Sequence, residues 1–161
     1  MMYSLPEANI RLVVNENSQV VYKDPITCKE DAILAIGQYL AFSDRESVVA
    51  LYLNSKAKPI NWYKVSDGML EASIVDVRQI LKGALLSNAK AVILFHCHPS
   101  GDYMPSFDDM KVTKQVAAAC RLLGITLFDH IIIGAYETKD YYSFKEAYPE
   151  MLEGGDLNAF K

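Results

Sequence analysis

Between Ala91 and Gly134 the chain alternates strand-like and helix-like patterning within a short span. Ala91–His98 reads as a strand, and Pro99-Ser100-Gly101-Asp102 breaks it sharply. From Ser106 to about Leu123 the spacing predicts a helix, with Met110, Val116, Ala117, Cys120 and Leu123 facing inward. Gly124 is the expected stop, and Ile125–Gly134 reads as another strong strand. A chain with this succession must cover a sheet with helices, which restricts it to the α/β (α+β) classes. The pattern does not fix the strand order.

The preceding residues add elements of the same kinds. Ile10–Val14 and Gln19–Lys23 are β-prone and separated by Asn15-Glu16-Asn17-Ser18, which predicts a hairpin. Thr27 with Glu30 fits a capping box for a helix over Cys28–Ala41, where Ala32, Ile33, Ile36 and Leu40 recur at helical spacing. Ser47–Asn54 reads as a buried strand, and Lys58–Val65 as its neighbour. Asp76 can cap a helix whose apolar positions are Val77, Ile80, Leu81, Ala84 and Leu85. No repeat or linker divides the 161 residues, so one compact domain over 1–161 is expected, with a polar C-terminal end that frays.

Composition narrows the class of function. Lys and Arg number 16 against 20 Asp and Glu, a formal charge of −4, which argues against a general nucleic-acid-binding surface. The three cysteines Cys28, Cys97 and Cys120 share no short spacing, so reduced thiols in a cytoplasmic setting are expected rather than a disulfide framework. The N-terminus lacks the pattern of a secretory signal, and purely apolar runs are far shorter than a membrane-spanning helix. A soluble protein without a membrane anchor is the expectation.

The chemistry concentrates in Phe95-His96-Cys97-His98-Pro99-Ser100-Gly101-Asp102 and Pro105-Ser106-Phe107-Asp108-Asp109. Strand side chains alternate, so His96 and His98 share a face and Cys97 points away. Two imidazoles on one face suit a transition-metal ion, and a Gly/Pro loop could bring Asp109 back onto them. Three protein ligands would leave a fourth position open, the arrangement of a catalytic zinc. Ser106 and Asp109 also fit a helix-capping pair, and Asp102 a turn former, neither of which requires catalysis. For His130, beside Asp129, a buried hydrogen-bonded structural role is the simpler expectation. Arg78 could anchor the helix start or meet a carboxylate. The aromatic residues Tyr141, Tyr142, Phe144 and Tyr148 lack basic interleaving and are expected to pack rather than to stack on nucleic acid.

His-x-His, seven residues, then Ser-x-x-Asp resembles the JAMM (MPN+) metalloprotease motif. His98-Pro99-Ser100-Gly101-Asp102 and Asp129-His130-Ile131-Ile132-Ile133-Gly134 resemble the RadC branch of that superfamily, as do Asp76-Val77-Arg78 and Tyr142-Ser143-Phe144. The resemblance covers about residues 26–148. It departs at position 97, where the RadC branch usually has Asn and this chain has Cys. Longer RadC proteins carry an N-terminal helix-hairpin-helix segment resembling DNA-binding modules, and no such segment is expected within these 161 residues.

The resemblance implies a JAB1/MPN-type fold, a mixed sheet flanked by helices and similar to the cytidine deaminases. It implies Zn2+ held by His96, His98 and Asp109 with water in the fourth place, and Ser106 helping to stabilise an oxyanion. It also implies an upstream Glu as general base and acid. Glu46, immediately before the strand Ser47–Asn54, fits that place; Glu71 is its rival, and pairing with Arg45 or a lysine is the non-catalytic alternative for Glu46. The implied activity is that of a zinc-dependent metallohydrolase acting on a peptide or isopeptide substrate. A protein-binding scaffold with a non-catalytic metal site, or a DNA-repair-associated protein, are the alternatives. The charge of −4 counts against the last.

Overall fold

The computed structural model describes residues 10–15, 22, 24–68, 75–135 and 138–153. Its centre is a five-stranded sheet in the order β2-β1-β3-β4-β5, formed by β1 (Ser47–Leu53), β2 (Pro59–Asp67), β3 (Ala91–His98), β4 (Thr126–Gly134) and β5 (Tyr141–Ser143). β1 runs antiparallel to both β2 and β3, β3 and β4 are parallel, and β5 returns antiparallel to β4. The fold is therefore a mixed sheet with flanking helices, consistent with a JAB/MPN-type domain. A parallel pair cannot be joined by a tight hairpin. The crossover from β3 to β4 is the helix α4 (Phe107–Leu122).

Helices cover both faces of the sheet, so the central strands β1 and β3 read as continuous apolar runs. On one face Val49, Leu51, Ile93, Phe95, Cys97, Ile131 and Ile133 pack with Ile33, Ile36 and Leu40. Those three belong to a helical rod made of α1 (Lys29–Ala32), a π-helical turn (Ile33–Gly37) and α2 (Gln38–Leu40). On the other face Val48, Ala50, Tyr52, Val92, Leu94 and Leu127 meet α4 and α3 (Val77–Leu86). Tyr52 is fully buried and donates its hydroxyl to the carbonyl oxygen of Ile80 at 3.0 Å. Helix α3 approaches this ring so closely that a Cβ at Gly83 would collide with the phenol. Two short helices, α5 (Phe144–Ala147) and α6 (Pro149–Glu153), follow β5.

Several expectations need correction. Ile10–Val14 forms no strand and its side chains are exposed, so its β propensity alone does not make one. The second arm of that expected hairpin lies outside the described residues apart from Tyr22. The first helix is capped by Asp31 rather than Glu30: its carboxylate accepts from the Thr27 hydroxyl and from the backbone N–H groups of Thr27 and Cys28. Helical spacing puts Leu85 and Leu123 inward, yet they are 53% and 43% exposed: Leu85 is turned off the face that buries Ile80, Ala84 and Ser87, and Leu123 follows the last turn of α4. No helix among the described residues is long and apolar enough to cross a membrane.

Candidate metal centre

His96 and His98 stand at the C-terminal end of β3, and their alternation with Cys97 is as the strand period requires. Cys97 points into the α1 side of the core, while the two imidazoles face α4 and meet edge to face, with ring centres 4.5 Å apart. The register Val48↔His96 places the start of β1, and with it Glu46, beside them. The backbone carbonyl of Glu46 is pinned to the end of β2 by the Gly68 N–H at 2.8 Å.

After His98 the chain folds back tightly. Gly101 and Ala135 both donate their N–H groups to the His98 carbonyl, at 3.2 and 2.9 Å. Gly101 adopts φ +82°, a conformation that favours glycine. Its carbonyl oxygen sits against Gly134, where any Cβ would collide with it. The two glycines thus let the loop lie on the end of β4. Asp102 then shapes the exit: its side chain accepts from the Met104 N–H at 2.9 Å, as expected of a turn former, and its carbonyl oxygen lies 2.7 Å from His98 Nδ1.

The loop delivers Ser106 and Asp109 to the start of α4 as a closed capping box. Asp109 N–H donates to Ser106 Oγ at 3.1 Å, and Asp109 Oδ2 accepts from Ser106 N–H at 2.8 Å and from the Ser106 hydroxyl at 2.6 Å. The other carboxylate oxygen, Oδ1, lies 2.7 Å from His96 Nδ1, and Oδ2 lies 3.5 Å from His98 Nε2. Capping and cluster geometry therefore coexist in one side chain. Burial works against the charge on Asp109, but its bonds to His96 and His98 prevail and hold the carboxyl well below the usual range. Burial likewise opposes protonation of His98, and Asp109 with the Asp102 carbonyl outweighs it, raising the imidazole above its ordinary value.

Each imidazole has its Nδ1 against an oxygen acceptor, so a neutral ring that donates through Nδ1 carries its lone pair on Nε2. A metal-ligating histidine takes that form, with its far nitrogen donating to a carboxylate or carbonyl. His96 Nε2 faces Glu46 Oε2 at 3.9 Å, and one donor atom from each of Glu46, His96 and His98 lies within 4.8 Å of the others. Two donors on a tetrahedral zinc with bonds of about 2.0–2.1 Å stand roughly 3.3–3.4 Å apart. The 3.5 Å between His98 Nε2 and Asp109 Oδ2 fits that spacing. The residue types and their arrangement fit a transition-metal ion.

A family model for the RadC-like JAB domain matches residues 26–149. The chain belongs to this family. A UPF0758 protein of Listeria monocytogenes serotype 4b is 42% identical over 134 residues, which cover 83% of this chain and 57% of the relative. A UPF0758 protein of Geobacillus thermodenitrificans is 42% identical over 121 residues, covering 75% of this chain and 52% of the relative. The chain spans little more than half the length of these two relatives.

In this RadC-like JAB domain the five residues singled out from sequence, Glu46, His96, His98, Ser106 and Asp109, converge on one cluster. Arg45 pairs with Asp44 rather than with Glu46. Glu71 lies outside the described residues. Arg78 meets the carboxylate of Asp76, the N-cap of α3, so it both anchors the helix start and pairs with an acid.

Two contributors were less visible in the sequence. Thr113, one turn after Asp109, donates its hydroxyl to the Asp109 carbonyl at 2.6 Å, and His130 Nδ1 lies 2.7 Å from the same hydroxyl oxygen. A hydroxyl has one proton, so His130 must donate through Nδ1 and carry its lone pair on Nε2. That Nε2 is buried and has no hydrogen-bond partner among the described residues. Burial lowers the His130 pKa to about 3, which keeps the ring neutral. An unpaired buried acceptor of this kind costs about 1–3 kcal/mol. The helical period from Asp109 signals Thr113, but only the β3–β4 register brings His130 alongside.

Proposed function

We propose that the domain is a zinc-dependent hydrolase of amide bonds, with a peptide or isopeptide as substrate. The observation that carries this reading is the orientation of His96 and His98. Both direct Nδ1 to an oxygen acceptor, while His96 Nε2 faces Glu46 Oε2 at 3.9 Å and His98 Nε2 lies 3.5 Å from Asp109 Oδ2. His96, His98 and Asp109 hold the ion, and Glu46 remains beside it as the acid–base group. A zinc ion bound there supplies a water acidified to a pKa of about 7 and a positive charge toward the substrate carbonyl.

The chain's own groups then divide the work. Glu46, with its side chain 37% exposed at the edge of the cluster, is open to substrate; it accepts the proton of the attacking water. As the C–N bond breaks, Glu46 returns that proton to the departing amine nitrogen. Ser106 rotates its hydroxyl from Asp109 Oδ2 to the carbonyl oxygen as negative charge develops there. Asp109 fixes the plane of His96 and stays ionised, since both imidazoles favour its charged form.

The test uses zinc-loaded protein and a mixture of unstructured peptides with and without Nε-linked branches, read by mass spectrometry. Cleavage is expected with the wild type, and Glu46→Gln should retain zinc while losing at least about a hundredfold in rate. A variant that cleaves as fast as the wild type removes Glu46 from the mechanism. An absence of cleavage by the wild type in both peptide classes contradicts the proposed substrate. The acidic charge of −4 further implies that duplex DNA is bound weakly or not at all, which titration at low and high salt reads directly.

A further inference from the structure

We propose that His130 and Thr113 form a positioning pair for the metal site, acting on both Asp109 and His96. The inference rests on the zinc reading above and extends it to residues that touch no substrate. His130 is 2% exposed on β4, and Thr113 is fully buried on α4. The Nδ1–H of His130 donates to the Thr113 hydroxyl, which donates to the Asp109 backbone carbonyl. The chain of bonds ties the first turn of α4 to the neighbouring strand. It fixes the height at which the Asp109 carboxylate meets the histidines.

The ring of His130 acts on the second ligand. It lies nearly parallel to His96, with centres 6.4 Å apart and 10° between planes, and is backed by Phe144 at 5.0 Å and 9°. Phe144 is itself fully buried. Asp129 closes the support from the other side. Its carboxylate accepts from the His130 N–H at 2.7 Å, the Ser143 hydroxyl at 2.7 Å and the Lys145 N–H at 2.9 Å, and so locks β4 to the start of α5.

The unpaired Nε2 makes His130 a poor choice for packing alone. A phenylalanine would fill the same stack without leaving a buried acceptor empty. What a phenylalanine lacks is the Nδ1–H that Thr113 requires, and that donor is the function the geometry assigns to the residue. Loss of such outer partners typically weakens metal binding by about 10–100-fold.

The experiment measures cobalt(II) affinity and the visible cobalt spectrum of the full chain for wild type, His130→Phe, Thr113→Val and Thr113→Ser. The expected result is about a 10–100-fold weaker affinity and an altered spectrum for the first two variants, with Thr113→Ser close to wild type. The melting temperature of metal-free His130→Phe should equal or exceed that of wild type. Wild-type affinity in both His130→Phe and Thr113→Val overturns the inference, as does an affinity loss that follows loss of folded metal-free protein. A wild type that binds no cobalt overturns the zinc reading itself, and this inference with it.

Discussion

Asp109 Oδ1 lies 2.7 Å from His96 Nδ1 while the same carboxylate, through Oδ2, accepts the Ser106 hydroxyl. One side chain therefore caps helix α4 and orients an imidazole. The two duties separate by mutation. Ser106→Ala should cost about 1 kcal/mol of folding stability, as loss of an N-cap does, and leave zinc bound. Asp109→Asn keeps the shape but removes the charge that both histidines favour, and should lower zinc affinity at least about tenfold. Denaturant unfolding and competition against a chelator measure the two effects.

The close packing of Gly101 on Gly134 gives a second prediction. Gly134→Ala should push the 99–102 loop away and loosen the bond between His98 Nδ1 and the Asp102 carbonyl. A stability loss of about 1–3 kcal/mol with weakened metal binding is expected. Gly124→Ala is the control. Gly124 has φ +68°, and a Cβ there would meet nothing within 4 Å, so only the backbone cost of about 1 kcal/mol applies, without an effect on metal.

The thiols should differ sharply in reactivity. Burial pushes Cys97 up to about 11 and Cys120 up to about 12, whereas Cys28 is exposed at the start of α1. A colorimetric thiol reagent at neutral pH should therefore titrate Cys28 alone in the folded protein and all three cysteines after denaturation. Rapid labelling of a second thiol under native conditions would contradict the burial of β3 and α4.

The pH dependence of the metal-free protein carries the signature of His130. Its folded pKa of about 3 lies below the ordinary 6.5, so the unfolded chain binds a proton that the native state refuses. Its contribution is complete above about pH 6.5 and declines as pH falls toward 3, at up to about 1.4 kcal/mol per pH unit. His98 has the opposite sign: its raised pKa gives a contribution complete below 6.5 and lost as pH rises through the folded value. Unfolding curves of wild type and His130→Phe between pH 7 and 4.5 should diverge, the wild type losing more as pH falls. Parallel curves would show that the buried ring is protonated.

What the sequence made legible followed from local periods. Strand alternation alone placed His96 and His98 together and Cys97 in the opposite core, and the helix period with Ser106 as cap set Asp109 at the mouth of α4. The convergence of Glu46 came from family resemblance and was realised by the β1–β3 register, which no local pattern specifies. His130 shows the limit most clearly. Its place behind His96 depends on Leu94 pairing with His130 across two parallel strands, a contact between segments far apart in sequence. Ile10–Val14 likewise has the residues of a strand and does not form one, since β propensity alone does not specify a strand. Leu85 is exposed because the buried stripe of α3 runs through Ile80, Ala84 and Ser87, narrower than its apolar residues suggest.

The most direct test of the central claim is elemental analysis of the purified protein after exhaustive dialysis, beside His98→Ala and Glu46→Gln. The account predicts one zinc per chain in the wild type and in Glu46→Gln, and none in His98→Ala. A folded wild type without stoichiometric metal would contradict it.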